Sequence, residues 1–145
     1  MINVQITKKL QNINVSILRL KRLVRMVCKR FGLSDALIGI AIVDDAEFRR
    51  LNARFLNRKS TSDCLSFDLS DGGKAQFEVI VNGELAVREA KLRGHSAEAE
   101  TALYITHGLL HNLGFDDSTE TQARKMHKTE DEILRELGYG LVYSQ

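Results

Sequence analysis

The 145-residue chain contains no proline, only two cysteines and no long hydrophobic run. Because proline is absent, no proline-rich linker divides the chain, and we find no internal repeat or low-complexity segment. A membrane-spanning helix needs about 20 consecutive apolar residues, and no such run occurs. The N-terminus also lacks the basic-then-apolar order of a signal peptide. We therefore expect a single domain over residues 1–145, in the cytoplasm, with no membrane partner.

The two cysteines and the net charge exclude little by themselves. Cys28 and Cys64 lie in apolar segments without Cys-x-x-Cys spacing, which is typical of small buried residues in a reducing compartment. The net charge of +2 is too small to predict a polyanionic partner. The distribution of charge is more informative, because the first predicted helix carries several cations with no acid between them.

Hydrophobic periodicity predicts the order of strands and helices. Strands are predicted at residues 2–7, 37–43, 64–69 and 77–81. Helices are predicted over residues 15–31, 44–55, 96–113 and 119–137, and the chain after the Asn82-Gly83 turn signal also leads towards a helix. This order favours an α+β fold, with an α/β layer arrangement as the alternative, in which a mixed sheet of about four strands is packed with helices. The pattern does not give the strand order.

The segment from Thr106 to Asp117 carries the clearest chemical signal. His107 and His111 are four residues apart on a predicted helix, so both rings project from one face and can reach one metal ion. Gly114 then ends the helix, and Asp116 or Asp117 can supply a third ligand. Two imidazoles and one carboxylate leave a coordination position open, which is typical of a catalytic zinc site.

The alternative is that both histidines are core residues with satisfied ring nitrogens. Three features favour metal binding. The helix is apolar nearly all round, so an unpaired ring nitrogen would be costly there. Gly108 weakens the helix interior by roughly 1 kcal/mol relative to alanine, which suggests that something approaches the backbone beside His107. Acids also follow the helix break at once.

Two further features qualify the type of metal site. Gly108 stands where the zincin motif of metalloproteases places its glutamate base, so the chain is not a zincin. Glu100 lies on the same stripe as His107 and is a candidate hydrogen-bond partner for a metal-binding histidine. The alternative for Glu100 is an acid in the first helical turn, favoured there by the helix dipole.

These residues resemble the YbeY family of bacterial single-strand-specific endoribonucleases. Residues 107–116 are similar to its hallmark, H-G-x-L-H-x-x-G-[YF]-D-H. Other segments resemble the family in the right order: residues 51–52 with 62–67 (L-N…T-D-V-L-S-F), 82–85 (G-[DE]-I) and 126–134 (M-x-x-x-E-x-x-[IL]-L). The resemblance implies an α+β fold and a bound zinc ion, for which another divalent transition metal is an alternative. It also implies hydrolysis of single-stranded RNA in ribosomal RNA maturation and quality control, with the ribosome or its assembly factors as partners.

The chain departs from the family at the last ligand position. Most members have histidine there, and this chain has Asp117. Its offset of six from His111 matches the family's final histidine, so the resemblance implies His107, His111 and Asp117 as the metal ligands. The alternative is that Asp117 caps the last helix and does not bind metal.

Candidate RNA-binding residues lie in two places. Many members of the family carry an arginine implicated in handling RNA where this chain has Leu56, and Arg58 and Lys59 are candidate substitutes. The other place is the outer side of the first helix, which we call the basic face: Arg22, Arg25 and Lys29. Cations on one side of a helix can displace the counterions of RNA phosphates, although most such faces are merely solvated.

The function expected from these features is metal-assisted hydrolysis of RNA phosphodiester bonds. The sequence does not identify a protein general base. One alternative is a non-catalytic ribosome-assembly factor in which the metal joins the last two helices and the basic face docks on RNA. Another is a metallohydrolase that acts on small substrates.

Overall fold

A computed structural model describes residues 1–55, the backbone of residues 59–60, and residues 63–140. Within these residues, five strands form one sheet: β1 (Ile2–Lys8), β2 (Ala36–Val43), β3 (Lys59–Ser60), β4 (Cys64–Asp68) and β5 (Ala75–Asn82). Their order is β1-β2-β5-β4-β3. Strands β1, β2 and β5 are parallel, whereas β4 runs antiparallel to β5 and β3 antiparallel to β4. The predicted α+β fold with a mixed sheet is confirmed, and β3 was not predicted because two residues carry no periodic signal.

The described part of the chain also contains five helices that pack with this sheet: α1 (Ile17–Arg30), α2 (Asp45–Arg54), α3 (Gly83–Arg93), α4 (Ala97–Asn112) and α5 (Glu120–Glu136). Each begins after a residue whose side chain accepts a hydrogen bond from a backbone amide of the first turn: Ser16, Asp44, Asn82, Ser96 and Thr119. These bonds satisfy amides that have no partner inside the helix. The predicted capping box of Thr119 and Gln122 is present. None of the helices in the described part of the chain is long and apolar enough to cross a membrane.

Helix α4 is the central element of the fold. It packs against β4 and β5 on one side and contacts α1, α3 and α5. Most of its residues are buried, including Ile105, Leu109 and Leu110. The helix that carries His107 and His111 is therefore held rigidly on several sides, which fixes the position of both rings.

Gly108 lies where α4 comes closest to the sheet. A Cβ atom at this position would lie 2.6 Å from Cγ1 of Val79 and 3.0 Å from Oγ of Ser66. The Ser66 hydroxyl also donates a hydrogen bond of 3.1 Å to the Gly108 carbonyl. The prediction that something approaches the backbone beside His107 is thus confirmed, but the approaching group is the sheet. Gly108 therefore gives no support to metal binding, because close packing explains it.

Candidate metal centre

His107, His111 and Asp117 converge at the end of α4. The two Nε2 atoms are 3.1 Å apart, and Oδ2 of Asp117 lies 3.7 Å from Nε2 of His107 and 3.9 Å from Nε2 of His111. Each of the three residues offers one ligand atom, and these three atoms all lie within 4.8 Å of one another. The structure therefore brings together the three residues that were predicted as metal ligands.

The turn after α4 carries Asp117 back towards the histidines. Gly114 has a φ of +100°, a backbone conformation that favours glycine. The amide of the next residue, Phe115, then donates a hydrogen bond of 2.9 Å to the Leu110 carbonyl, which reverses the chain. Helix α5 is capped by Thr119, so the alternative role of Asp117 as its cap is not observed.

Hydrogen bonds fix which nitrogen of each ring faces the group. Nδ1 of His111 is 3.1 Å from the Phe115 carbonyl, which can only accept, so this nitrogen carries the proton. Nδ1 of His107 is 2.7 Å from Oε2 of Glu130, and a carboxylate likewise accepts from it. Both Nε2 atoms are then left with lone pairs that point at each other and at the carboxylate of Asp117. Only a cation, either a metal ion or a proton, makes that arrangement favourable.

The spacing of the donors fits a zinc-type ion. Zn–N bonds of about 2.0–2.1 Å in a regular tetrahedron place two nitrogens about 3.3 Å apart. The observed distances of 3.1, 3.7 and 3.9 Å lie near this value. Two imidazole nitrogens and one carboxylate oxygen are also an accepted ligand set for zinc. The residues present therefore fit such an ion.

The electrostatics of the group also favour positive charge. Burial alone lowers the pKa of His107, but the hydrogen bond and charge of Glu130 outweigh this effect, with smaller contributions from the charges of Asp63 and Asp117. The pKa of His107 is consequently raised above its ordinary value of 6.5. A site that raises a histidine pKa in this way stabilises a cation at the same place.

Glu130 was not predicted as part of the site. It lies on α5, is fully buried and holds Nδ1 of His107. A signal was present in the sequence, because Glu130 is an acid on the stripe of α5 that also carries the buried Met126, Ile133 and Leu134. A buried charge needs a partner, so an acid on an apolar stripe is a candidate functional residue.

The prediction that Glu100 supports a metal-binding histidine is wrong. Its Oε1 atom makes a short hydrogen bond with Nε2 of His95, and its Oε2 atom lies 3.8 Å from the guanidinium of Arg93. Glu100 lies in the first turn of α4, as its alternative interpretation required. The contact with His107 expected of Glu100 is made by Glu130, which approaches from a different helix.

Asp116 and Asp117 have different environments. Oδ1 of Asp116 accepts a hydrogen bond of 2.8 Å from the Asp117 amide, and Oδ2 accepts one of 3.0 Å from the Ser118 hydroxyl. The carboxylate of Asp116 therefore stabilises its own loop. Of the two acids, Asp117 is the one that joins the histidine group.

The structure describes only some of the candidate RNA-binding residues. Arg22, Arg25 and Lys29 are exposed on α1, so the basic face exists as predicted, and its contact with RNA stays a prediction. Leu56 and Arg58 lie outside the described residues. Lys59 lies in β3, where the backbone alone is described.

The mixed sheet and the group of two histidines and one aspartate define an α+β protein with a candidate mononuclear metal centre. The family model of Endoribonuclease YbeY matches residues 5–138, and the chain belongs to this family. Three relatives named Endoribonuclease YbeY illustrate the similarity. The protein from Heliobacterium modesticaldum is 34% identical over 74% of each chain. That from Laribacter hongkongensis is 37% identical over 75% of this chain and 69% of its own, and that from Chelativorans sp. is 38% identical over 78% and 73%.

The fold also resembles a solved structure. The solution structure of a Thermotoga maritima protein superposes with a TM-score of 0.60 and covers 94% of this chain and 89% of its own. The sequence identity is 20%, so this likeness concerns the fold alone.

Proposed function

We propose that the protein is a metal-dependent endoribonuclease that hydrolyses phosphodiester bonds of single-stranded RNA. The observation that carries this proposal is the convergence of His107, His111 and Asp117 in a chain of the Endoribonuclease YbeY family. The relatives from Heliobacterium modesticaldum and Laribacter hongkongensis bear the endoribonuclease name, and here we extend that activity to this chain.

The side chains have distinct roles in this proposal. Nε2 of His107, Nε2 of His111 and a carboxylate oxygen of Asp117 would hold one zinc ion, with another divalent transition metal as the alternative. When bound, such an ion polarises a phosphoryl oxygen and makes water more acidic. Glu130 and the Phe115 carbonyl accept hydrogen bonds from the Nδ1 atoms and so keep both Nε2 atoms directed at the centre.

The proposed setting is ribosomal RNA maturation and ribosome quality control in the cytoplasm. Family membership supports the ribosomal substrate and the ribosome or its assembly factors as partners. Cys28 and Cys64 are buried and not joined in a disulfide, which fits a reducing compartment.

A second candidate function is a non-catalytic RNA-binding assembly factor. The observation in its favour is that His107 on α4 contacts Glu130 on α5. A bound ion would then also stabilise the packing of these two helices, as a structural metal does. Metal binding alone therefore does not distinguish this candidate from the endoribonuclease.

Cleavage of matched RNA substrates by nuclease-free protein separates the two candidates. Metal-replete wild-type protein should cut an internal bond of a single-stranded oligonucleotide and leave its duplex form intact. The His111→Ala variant should lose this activity, whereas His127→Ala, a control histidine on α5 outside the group, should retain it. Metal binding without cleavage would favour the assembly factor, and equal cleavage by wild type and His111→Ala would contradict a role of the histidine group in cleavage.

A further inference from the structure

A second feature lies beside the loop that carries Asp117. It is a surface cavity of about 310 Å³, lined by Leu113, Gly114, Phe115, Asp116, Gln122 and Lys125. Sites for small ligands have volumes of about 300–1,000 Å³, so this cavity has room for a ligand of nucleotide size. It is continuous with the metal-centre loop, because Asp116 lines it and Asp117 is the next residue.

The cavity combines an aromatic ring with a cation. Nζ of Lys125 lies 5.7 Å from the centre of the Phe115 ring, and Lys125 itself is exposed. The ring of Phe115 packs edge to face against Phe31, with centroids 5.5 Å apart and planes at 80°. Proteins that bind single-stranded nucleic acids use this pairing, because the ring contacts a base and the cation contacts a phosphate.

The same aromatic pair connects the cavity with α1. Phe31 immediately follows α1, and the guanidinium of Arg30 lies 5.9 Å from the centre of its ring. Lys29, a residue of the basic face, immediately precedes Arg30 in the helix. The contacts of Arg30 with Phe31, of Phe31 with Phe115 and of Phe115 with Lys125 therefore form a continuous path. This path leads from the basic face on α1 to the loop that carries Asp117.

Two acids near this path are held by hydrogen bonds, Asp116 and Glu132. Both carboxylate oxygens of Asp116 accept hydrogen bonds within the loop. Glu132 accepts a hydrogen bond of 2.6 Å from Arg30. Lys125 is the cationic side chain that lines the cavity, and its ammonium group lies over the Phe115 ring.

We propose that this cavity binds one nucleotide of single-stranded RNA beside the cleavage site, with Lys125 on a phosphate and Phe115 against the base. The proposal rests on the proposed endoribonuclease function and adds a substrate subsite to it. A single strand fits this role, because its unstacked bases are free to enter a cavity.

The Lys125→Gln variant tests the phosphate contact. Each phosphate neutralised on a single strand contributes about 0.7 to the slope of log affinity against log salt, so the slope should become shallower by about that amount. The KM for RNA cleavage should rise while kcat and metal content stay unchanged. Arg124→Gln is the matched control, because Arg124 is the adjacent exposed cation and pairs with Glu120 at 3.4 Å.

The Phe115→Leu variant tests the base contact. Loss of base–aromatic stacking weakens binding by about five- to 150-fold. Leucine preserves an apolar contact with Phe31, and the main-chain bonds of residue 115 to Leu110 and His111 do not involve its ring. If this variant loses metal, Lys125→Gln alone decides the outcome.

The result separates the subsite from the proposed function. If wild-type protein binds and cleaves RNA but Lys125→Gln matches Arg124→Gln in slope and KM, the subsite is wrong and the endoribonuclease stands. A metal-retaining Phe115→Leu variant with unchanged RNA affinity overturns the subsite as well. If metal-replete wild type neither binds nor cleaves single-stranded RNA, both proposals fail.

Discussion

Glu130 shows how a single buried side chain can orient a candidate metal ligand on another helix. Its Oε2 atom holds Nδ1 of His107 at 2.7 Å, and the residue is fully buried. The carboxylate keeps the proton on Nδ1 and leaves Nε2 free to bind a cation. The affinity of the centre for metal should therefore depend on a residue that is not itself a ligand.

Replacing Glu130 tests this dependence. Glu130→Ala should weaken metal binding by about 10- to 100-fold, the usual cost of losing the partner of a ligating histidine. Glu130→Gln should lose less, because its amide oxygen still accepts from Nδ1. Competition with a chromophoric chelator measures the metal affinity of both variants. The control is Glu132→Ala, because Glu132 is an exposed acid two residues further along α5. Equal affinity in wild type and Glu130→Ala would contradict the account.

The two adjacent acids after α4 should behave differently when mutated. Asp117→Ala should lose most of the bound metal, because it removes one of the three proposed ligands, and Asp117→His should keep the metal. Asp116→Ala should retain it, since the carboxylate of Asp116 is hydrogen-bonded within the loop. Elemental analysis of the three purified variants measures the outcome. Metal loss in Asp116→Ala with retention in Asp117→Ala would reverse the assignment.

At the level of residues, local spacing predicted part of the site. A separation of four places His107 and His111 on one helical face whatever the rest of the fold does. The choice of Asp117 over Asp116 came from the family resemblance, because side-chain directions after a helix break depend on loop conformation. Glu130 could not be assigned from local spacing, since it reaches His107 through the packing of α5 on α4.

At the level of elements, Gly108 determines how closely α4 approaches the sheet. In Gly108→Ala, helix propensity would favour the variant by about 1 kcal/mol. The new methyl group would, however, lie 2.6 Å from a methyl group of Val79, which is fixed in β5. Overpacking of this kind costs about 1–3 kcal/mol, so the clash should outweigh the gain.

Thermal unfolding should reveal this clash. We expect Gly108→Ala to lower the Tm by several degrees, since about 1 kcal/mol corresponds to roughly 2–4 °C in a chain of this size. Gly73→Ala is the control, because its added Cβ would meet nothing closer than 4.0 Å. A Tm of Gly108→Ala equal to or above that of wild type would show that the helix and sheet can separate without cost.

The elements themselves were predicted well, and their arrangement was not. Helices α1 and α5 have strong periodicity, α4 is a long apolar segment, and all three have side-chain caps, which are local signals. The sheet order depends on pairing between distant segments: β5 pairs with β2, although α2, β3 and β4 come between them in the chain. Such pairing depends on the packing of the whole chain, so the strand order cannot be predicted from local periodicity.

At the level of the whole molecule, the distribution of charge matters more than its sum. The net charge is +2, yet Arg22, Arg25 and Lys29 lie together and exposed on α1. If these residues contact RNA, their effect should be visible as salt dependence and not as a large affinity at high salt.

The triple variant Arg22→Gln, Arg25→Gln, Lys29→Gln tests the basic face. For three phosphate contacts on single-stranded RNA, the slope of log affinity against log salt should become shallower by about 2. The fold should be unaffected, because all three side chains point away from the core. A control triple variant changes the exposed cations Lys91, Arg124 and Arg135 to glutamine. If both triple variants change the slope equally, the basic face makes no specific contact with RNA.

The central claim is that one metal ion held by His107, His111 and Asp117 is required for RNA cleavage. The most direct measurement titrates zinc into chelator-treated wild-type protein and follows bound metal and the cleavage rate of single-stranded RNA in the same samples. We predict that the rate rises in proportion to occupancy and reaches its plateau at one ion per chain, and that His111→Ala gives neither tight binding nor cleavage. Full cleavage by metal-free protein, or by His111→Ala, would contradict the account.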